Sequence, residues 1–321
     1  MARLLRKFTR LFKRAPEPVE PVMTEPPPRE AVPYTAPLWL LAQPQSPKVG
    51  WDWRLPSLHE PLSQMCTSEQ MEGDYYEQAC AKAGVLAVPH RKTWEFIYVY
   101  RALEHYGALR PGARLLGFGV GQEPLPSAFA ALGVEVMASD APLEVVQAQG
   151  WQETNQHVSA LDQMFQGGLV HRADFDRLVS YMPVDMNAIP AELTGFDGCW
   201  SACALEHLGS IDLGLDFIEN SLATLKPGGI AVHTTELNLG SNDKTFDEGN
   251  LALFRRKDFE RLIERLVDRG HWVAPLNLHP GSGEFDVHVD LPPYAMPHLK
   301  IEVLGHITTS FGLVVRKGGA A

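Results

Sequence analysis

Glu206 and His207 stand side by side in the run Ser201-Ala202-Cys203-Ala204-Leu205-Glu206-His207-Leu208, and Glu236 closes an apolar run that begins at Ile230. Imidazoles and carboxylates are the side chains that most often take a proton from a nucleophile, and an imidazole titrates near neutrality without help. His207 is therefore the first candidate for a general base. Glu236 and Glu206 are further catalytic candidates, and His233 shares their position near a strand end. A second set of residues suits ligand binding. Gly117, Gly119 and Gly121 alternate at the end of an apolar run, so the backbone there can turn sharply and approach a ligand without a Cβ in the way. Asp140 ends the next apolar run, where its carboxylate can accept hydrogen bonds from both hydroxyls of a ribose.

These groups need elements to hold them. Arg114 to Phe118 reads as a short buried strand. Leu125, Ala128, Phe129 and Leu132 follow the i, i+3, i+4, i+7 spacing of one helix face, Pro124 and Pro126 fall in or before its first turn, and Gly133 stops it. Val134 to Ala138 is a second strand leading to Asp140. Strand, glycine loop, helix, strand and terminal carboxylate make half of a nucleotide-binding βαβ unit. Two ligand classes suit it: dinucleotides and S-adenosylmethionine. The dinucleotide fingerprint Gly-x-Gly-x-x-Gly would put its third glycine at Gln122 or Pro124, so that pattern is not met.

The Gly-x-Gly-x-Gly loop resembles motif I of the class I S-adenosylmethionine-dependent methyltransferases. One departure is Leu115, where that family usually has an acid two residues before the first glycine. Phe196-Asp-Gly-Cys-Trp, running into Leu205-Glu206-His207, resembles motif IV and its following loop, and Leu225-Lys-Pro-Gly-Gly resembles the turn before the fifth strand. The matches occur in order over roughly residues 112–236. The resemblance implies S-adenosyl-L-methionine as cofactor, with Gly117, Gly119, Gly121 and Asp140 holding it, Asp185 and Met186 beside the adenine, and Ser201 also at the cofactor site. It implies an α/β fold: a three-layer αβα Rossmann-like methyltransferase architecture, with a mostly parallel seven-stranded sheet and an antiparallel last strand. Methyl transfer to an oxygen, nitrogen or carbon nucleophile is then the expected reaction. A cofactor-binding scaffold without activity is the non-enzyme alternative that Leu115 keeps open.

Elsewhere, Ser68 to Ala83 reads as a helix ending at Gly84, and Thr93 as the cap of another carrying Phe96, Val99, Tyr100 and Leu103 on one face. The basic pair Arg91-Lys92 would lie near the cofactor, with Trp94 in the core. Residues 142–168 read as helix and loop. Phe175 to Tyr181 suggests a third strand. Ser210 caps a helix bearing Leu215, Ile218, Leu222 and Leu225, and Phe259, Leu262, Ile263, Leu266 and Val267 mark another. Residues 272–276 and 307–315 supply the last strands. Pro280 to Leu304 between them reads as a long insertion without structure of its own, a feature that is usually functional. Its His279 neighbour, His288, Asp290 and His298 are spaced too loosely to name a metal, and none is expected.

Composition bounds the rest. The 321 residues are 45% apolar, enough for a real core. Four scattered cysteines form no disulfide or zinc pattern and suit a reducing compartment. Residues 1–14 carry six cations and no acid, so the chain's net −11 leaves −17 on the remainder. An acidic body argues against nucleic-acid partners. Leu4, Leu5, Phe8, Leu11 and Phe12 lie on one helical face of residues 1–14 with cations opposite. Such a basic amphipathic helix suits an anionic membrane surface. A mitochondrial presequence and a basic tail are rival readings. Residues 15–47 read as a Pro-rich linker, 48–110 as a helical N-terminal extension and 111–321 as the methyltransferase domain. The expected acceptor is a small molecule or a lipid-linked glycan in surface-polysaccharide synthesis, handled in the cytoplasm at the inner membrane. A small metabolite or quinone precursor is the alternative. Oligomeric state is not legible.

Overall fold

In the computed structural model the described residues are 32–142 and 161–319, and Ala31–Ala321 form one compact unit. The proposed amphipathic segment at 1–14, residues 15–31 of the linker and most of the expected helix and loop after Asp140 lie outside the described residues.

Alternation along the strands sets the architecture. The central strands are β1 (Arg114–Phe118), β2 (Glu135–Asp140), β3 (Val179–Pro183), β4 (Phe196–Ala202), β5 (Leu225–Asn238) and β6 (His306–Arg316). Side chains of successive strand residues point to opposite faces. Leu116, Cys199, Ala231 and Leu313 thus join one buried cluster, while Leu115, Trp200, Val232 and Val314 join another. A sheet apolar on both faces needs helices on both. On the second face, α1 (Gly73–Ala83), α2 (Arg91–His105), α3 (Leu125–Ala131) and α4 (Arg172–Leu178) bring Tyr76, Ile97, Phe129 and Phe175. On the first, α5 (Ile211–Ser221) and α6 (Arg256–Asp268) bring Leu215, Ile218, Phe259 and Leu262. The result is a three-layer αβα sandwich.

Strand order is β3-β2-β1-β4-β5-β6, parallel through β5, with β6 antiparallel to β5. The direction of winding reverses between β1 and β4. In open sheets of this kind, that crevice at the carboxyl ends of the strands is where ligands bind.

The sheet is larger than the seven strands expected. It has twelve, because the outer edge of β6 is shared by three short segments. Lys300–Val303, Ser63–Met65 and Trp272–Val273 pair with successive stretches of it. His288–Asp290 and Val32–Pro33 continue beyond Lys300–Val303, and Leu276–Asn277 pairs with Ser63–Met65. A long bare edge would present unpaired N–H and C=O groups, and short covering strands remove that liability. Residues 280–304 are accordingly structured, with a 3-10 turn at Glu284–Val287 and two of these strands.

Other expectations shift for local reasons. Residues 32–47 belong to the body rather than to a tether: Tyr34 and Leu40 are buried, and Arg256 donates to the carbonyls of Trp39 and Leu40. Residues 48–110 share the core of residues 111–319, since α2 packs on β5 and β6. The helix expected over 68–83 is broken, because Glu72 is extended and Gly73 has φ +75°. His90, not Thr93, caps α2, its Nδ1 accepting from the Lys92 N–H at 3.0 Å. The expected strand at 175–181 is helix up to Leu178, since Phe175 and Leu178 bury together at helical spacing, and β3 starts one residue later. Ser210 caps α5 as expected, its Oγ accepting from the Leu213 N–H at 3.2 Å.

Tight packing of α2 on β6 makes a testable point. A Cβ on Gly312 would lie 2.0 Å from the ring of Tyr98, which is fully buried and donates to the Leu62 carbonyl. Gly312→Ala should therefore lower stability by about 1–3 kcal/mol through overpacking. Urea denaturation measures this, and an unchanged midpoint would contradict the packing.

Candidate functional site

The carboxyl ends of β1, β2, β4 and β5 open on a cavity of about 690 Å3. Part of its lining is the loop after β1 with Asp140, Val184 to Asn187 and Ala202 to Ala204. The rest includes Arg91, Lys92 and Phe96 of α2 with Glu206, His207, Glu236, Leu251, Leu253 and Val303. A cavity of that size falls within the range of about 300–1,000 Å3 usual for small-molecule sites.

The glycines divide by role. Gly119 and Gly121 have φ +58° and +49°, in the left-handed region, and both line the cavity. A Cβ on Gly119 would come within 2.7 Å of the Ala204 Cβ. Gly117 does not line it. A Cβ there would lie 2.5 Å from the Trp200 indole, so this glycine makes room in the core. Asp140 sits at the end of β2 in the cavity wall and accepts from the Ala141 N–H at 2.8 Å. Asp185 and Met186 also line it, with Asp185 accepting from the Asn187 N–H at 2.9 Å. Ser201 is a correction. It lies inside the sheet layer, with its Oγ 2.9 Å from Nδ1 of His233 and away from the cavity. Strand alternation explains it, because Ala202 takes the cavity-facing position. His233 is buried and pushed down to about 3 by burial, so it is a neutral bridge between Ser201 and Ser221 rather than a base.

The catalytic candidates all line the cavity, with Glu206 and Glu236 beside Cys203. His207 donates from Nδ1 to the Asn250 carbonyl at 2.6 Å, which makes Nε2 the lone-pair nitrogen of the neutral ring. Glu206 is buried and accepts from Thr235 Oγ1 at 2.9 Å. Burial raises its pKa, and Glu236 and Glu95 raise it further, against the pull of His207 and Lys92. Glu236 is ion-paired with Arg91 and accepts from Thr308 Oγ1 at 3.1 Å.

Arg91 and Lys92 owe their placement to Glu95, one turn further along α2. Glu95 is fully buried, accepts from Ser310 on β6, and lies 3.4 Å from Arg91 and 3.1 Å from Lys92. Burial pushes its carboxyl up, but Lys92 and Arg91 outweigh that and hold it below the ordinary value. Trp94 is in the core, stacked on Tyr98 and donating to Gln70 Oε1 at 2.9 Å.

Metal binding can be judged from the donors. Asp290 and His298 pair with each other at 2.5 Å, His279 packs on Trp53, and His288 joins neither contact. Among the described residues, only Cys203, Glu206 and Glu236 bring three donor atoms within 4.8 Å of one another. Arg91 already neutralises Glu236, and burial pushes the Cys203 thiol well up, whereas a metal needs deprotonated ligands.

Several wall residues carry no local sequence signal. Leu251, Leu253 and Val303 arrive by long-range pairing. Cys203 has φ +46°, an uncommon backbone conformation for a residue with a side chain. Glu123, beside the glycines, was the one with a clue, since an acid stands between Gln122 and Pro124 in a loop that faces a ligand.

No family model and no curated protein matches this sequence. Solved structures similar to it include a TehB-like SAM-dependent methyltransferase from Corynebacterium glutamicum, at 17% identity, covering 75% of this chain and 94% of that one, with a TM-score of 0.38. Magnesium protoporphyrin IX methyltransferase from Synechocystis matches at 13% identity, 77% and 89% coverage and a TM-score of 0.40. The [4+2]-cyclase SpnF matches at 18%, 68% and 82%, with a TM-score of 0.40. Likeness this distant decides no chemistry, so the site is argued from its own residues.

The ion network predicts its own cost. Breaking a buried pair by removing one partner typically costs about 3–5 kcal/mol. Arg91→Met should destabilise the fold in that range, and Arg91→Met with Glu236→Gln should cost less than the two single changes added. The depressed pKa of Glu95 makes its contribution complete at neutral pH and lost as pH falls through the folded value. Denaturant titrations of the double-mutant cycle at pH 7 check this, and strict additivity would mean the pair is not coupled.

Proposed function

We propose that this chain is an S-adenosylmethionine-dependent methyltransferase acting on a hydroxyl-bearing small molecule or glycan. The observation that carries this reading is the joining of two chemistries in one cavity: a left-handed glycine cradle with Asp140, and the trio Glu206, His207 and Glu236. The fit is physical, since a Cβ at Gly119 would close the cradle and Asp140 ends the neighbouring strand. Gly119, Gly121, Asp140, Asp185 and Met186 would hold the cofactor. When bound, it supplies an electrophilic methyl group on a sulfonium.

The chain's own residues do the remainder. His207 Nε2 takes the proton of the acceptor hydroxyl, with its ring held by the Asn250 carbonyl. Glu206 beside it stabilises the imidazolium. Glu236, steadied by Arg91 and Thr308, accepts from a neighbouring hydroxyl. Leu251, Leu253 and Val303 exclude water from that half and help to fix the acceptor's approach, which is where much of the rate gain of such a transfer arises. A non-catalytic cofactor-binding scaffold is the rival, and methyl transfer from labelled cofactor to polyol and glycan acceptors separates the two.

In this reading residues 1–14 hold the enzyme at an anionic membrane on the cytoplasmic side, where lipid-linked glycans are available. No helix among the described residues is long and apolar enough to cross a membrane. Six cations gain about 1 kcal/mol each near an anionic leaflet, and salt screens them. The full chain should sediment with anionic vesicles at low salt, and removing residues 1–14 should release it. Equal sedimentation of both forms would sink the membrane proposal.

For the chemistry, His207→Ala should lower turnover by about 10²–10⁴-fold with cofactor affinity nearly intact, the usual worth of a general base. A loss below about tenfold would move the role to Glu206 or Glu236. Because the raised pKa of Glu206 delays its ionisation, the rate should climb with pH through a limb above the ordinary carboxylate range. Glu206→Gln should remove that limb.

A further inference from the structure

Glu123 is a buried carboxyl that the mechanism above does not use. It follows the glycine cradle, is 6% exposed, and lines the cavity. Trp200 donates its Nε1–H to Oε1 at 2.5 Å, and no hydrogen bond from a described residue reaches Oε2. The wall therefore presents a carboxyl with one oxygen satisfied by protein and the other left for whatever occupies the cavity.

The charged groups around it do not supply a partner. From α2, Lys92 is paired with Glu95 at 3.1 Å. From β2, Asp140 is another acid, and from β4 the indole of Trp200 is neutral. Burial pushes the Glu123 carboxyl up to about 8, the Trp200 hydrogen bond and Lys92 pull it back, and Asp140 and Glu95 push it further. At neutral pH it is mostly a neutral acid, waiting for a positive charge.

We propose that Glu123 receives the ammonium group of the ligand bound in this cavity, and that it binds that group as a carboxylate after releasing its proton to solvent. The inference rests on the cofactor reading, in which the ligand carries an amino-acid moiety. The balance is simple: one proton leaves the Glu123 carboxyl for the buffer, the ammonium keeps its own, and an ion pair replaces a neutral acid facing water.

Calorimetry in two buffers of different ionisation enthalpy counts the protons. S-adenosylhomocysteine binding to the full chain at about pH 7 should release close to one proton, and the release should shrink as pH rises through about 8, where Glu123 is ionised before the ligand arrives. Affinity should rise as Glu123 ionises and fall again once the ligand's own ammonium loses its proton. Methylthioadenosine, which has no ammonium, should bind without proton release. Glu123→Gln keeps an oxygen for Trp200, and should weaken S-adenosylhomocysteine by about tenfold or more, remove the proton release, and leave methylthioadenosine unchanged. The proton count in the parent protein stands even if the variant folds poorly. Absence of S-adenosylhomocysteine binding would overturn the cofactor reading itself. Binding with no proton released, equal release with methylthioadenosine, or release that survives in Glu123→Gln would overturn the role of Glu123 and leave the cofactor reading intact.

Discussion

The burial of Glu95 is the constraint on which the site depends. A carboxylate with no exposed surface is a large electrostatic liability, and it persists only where fixed partners surround it. Arg91, Lys92 and Ser310 are those partners, and they come from one helix turn and from β6. Satisfying Glu95 therefore fixes α2 against the sheet. The same contacts leave Arg91 against Glu236 and Lys92 in the cavity wall. Electrostatic need at one residue thus positions three others.

The two halves of the cavity have different structural origins. The cradle, Asp140 and Glu123 follow β1 and β2, which are successive in the chain and adjacent in the sheet, and local backbone chemistry marks their positions. Other lining residues come from α2, from the segment after β4, from Leu251 and Leu253, and from Val303 on a short strand beyond β6. Apolar side chains and paired charges both line that part of the cavity.

That difference explains what could be read from the sequence. The placement of Gly119, Gly121 and Asp140 at one cavity was legible because a left-handed turn and a strand end leave marks within a few residues. Glu206 and His207 were legible for a similar reason, as polar residues following a buried strand. Ser201 misled because strand alternation assigns one side chain to each face, and a short run does not show which face meets the ligand. Gly117 misled because its purpose is space for Trp200, a residue far along the chain. Phe175 to Tyr181 satisfied strand and helix spacing equally, and burial of Phe175 with Leu178 decided for helix up to that point. The extent of the sheet was invisible, because the strands beyond β6 are two to four residues long and are held by pairing rather than by pattern.

β6 also has a temporal meaning. It lies between β5 and the covering strands, yet it follows every one of them in the chain. Its partner at Ser63–Met65 has been made far earlier, and the Val314 N–H finally meets Ser63 Oγ across 251 positions of chain. Until β6 is made, the outer edge of β5 is open and Ser63–Met65 has only the short Leu276–Asn277 to pair with. Contacts so distant in sequence slow folding, and unpaired edges meanwhile attract other chains. Nascent chains that have made β5 but not β6 therefore expose their most association-prone edge.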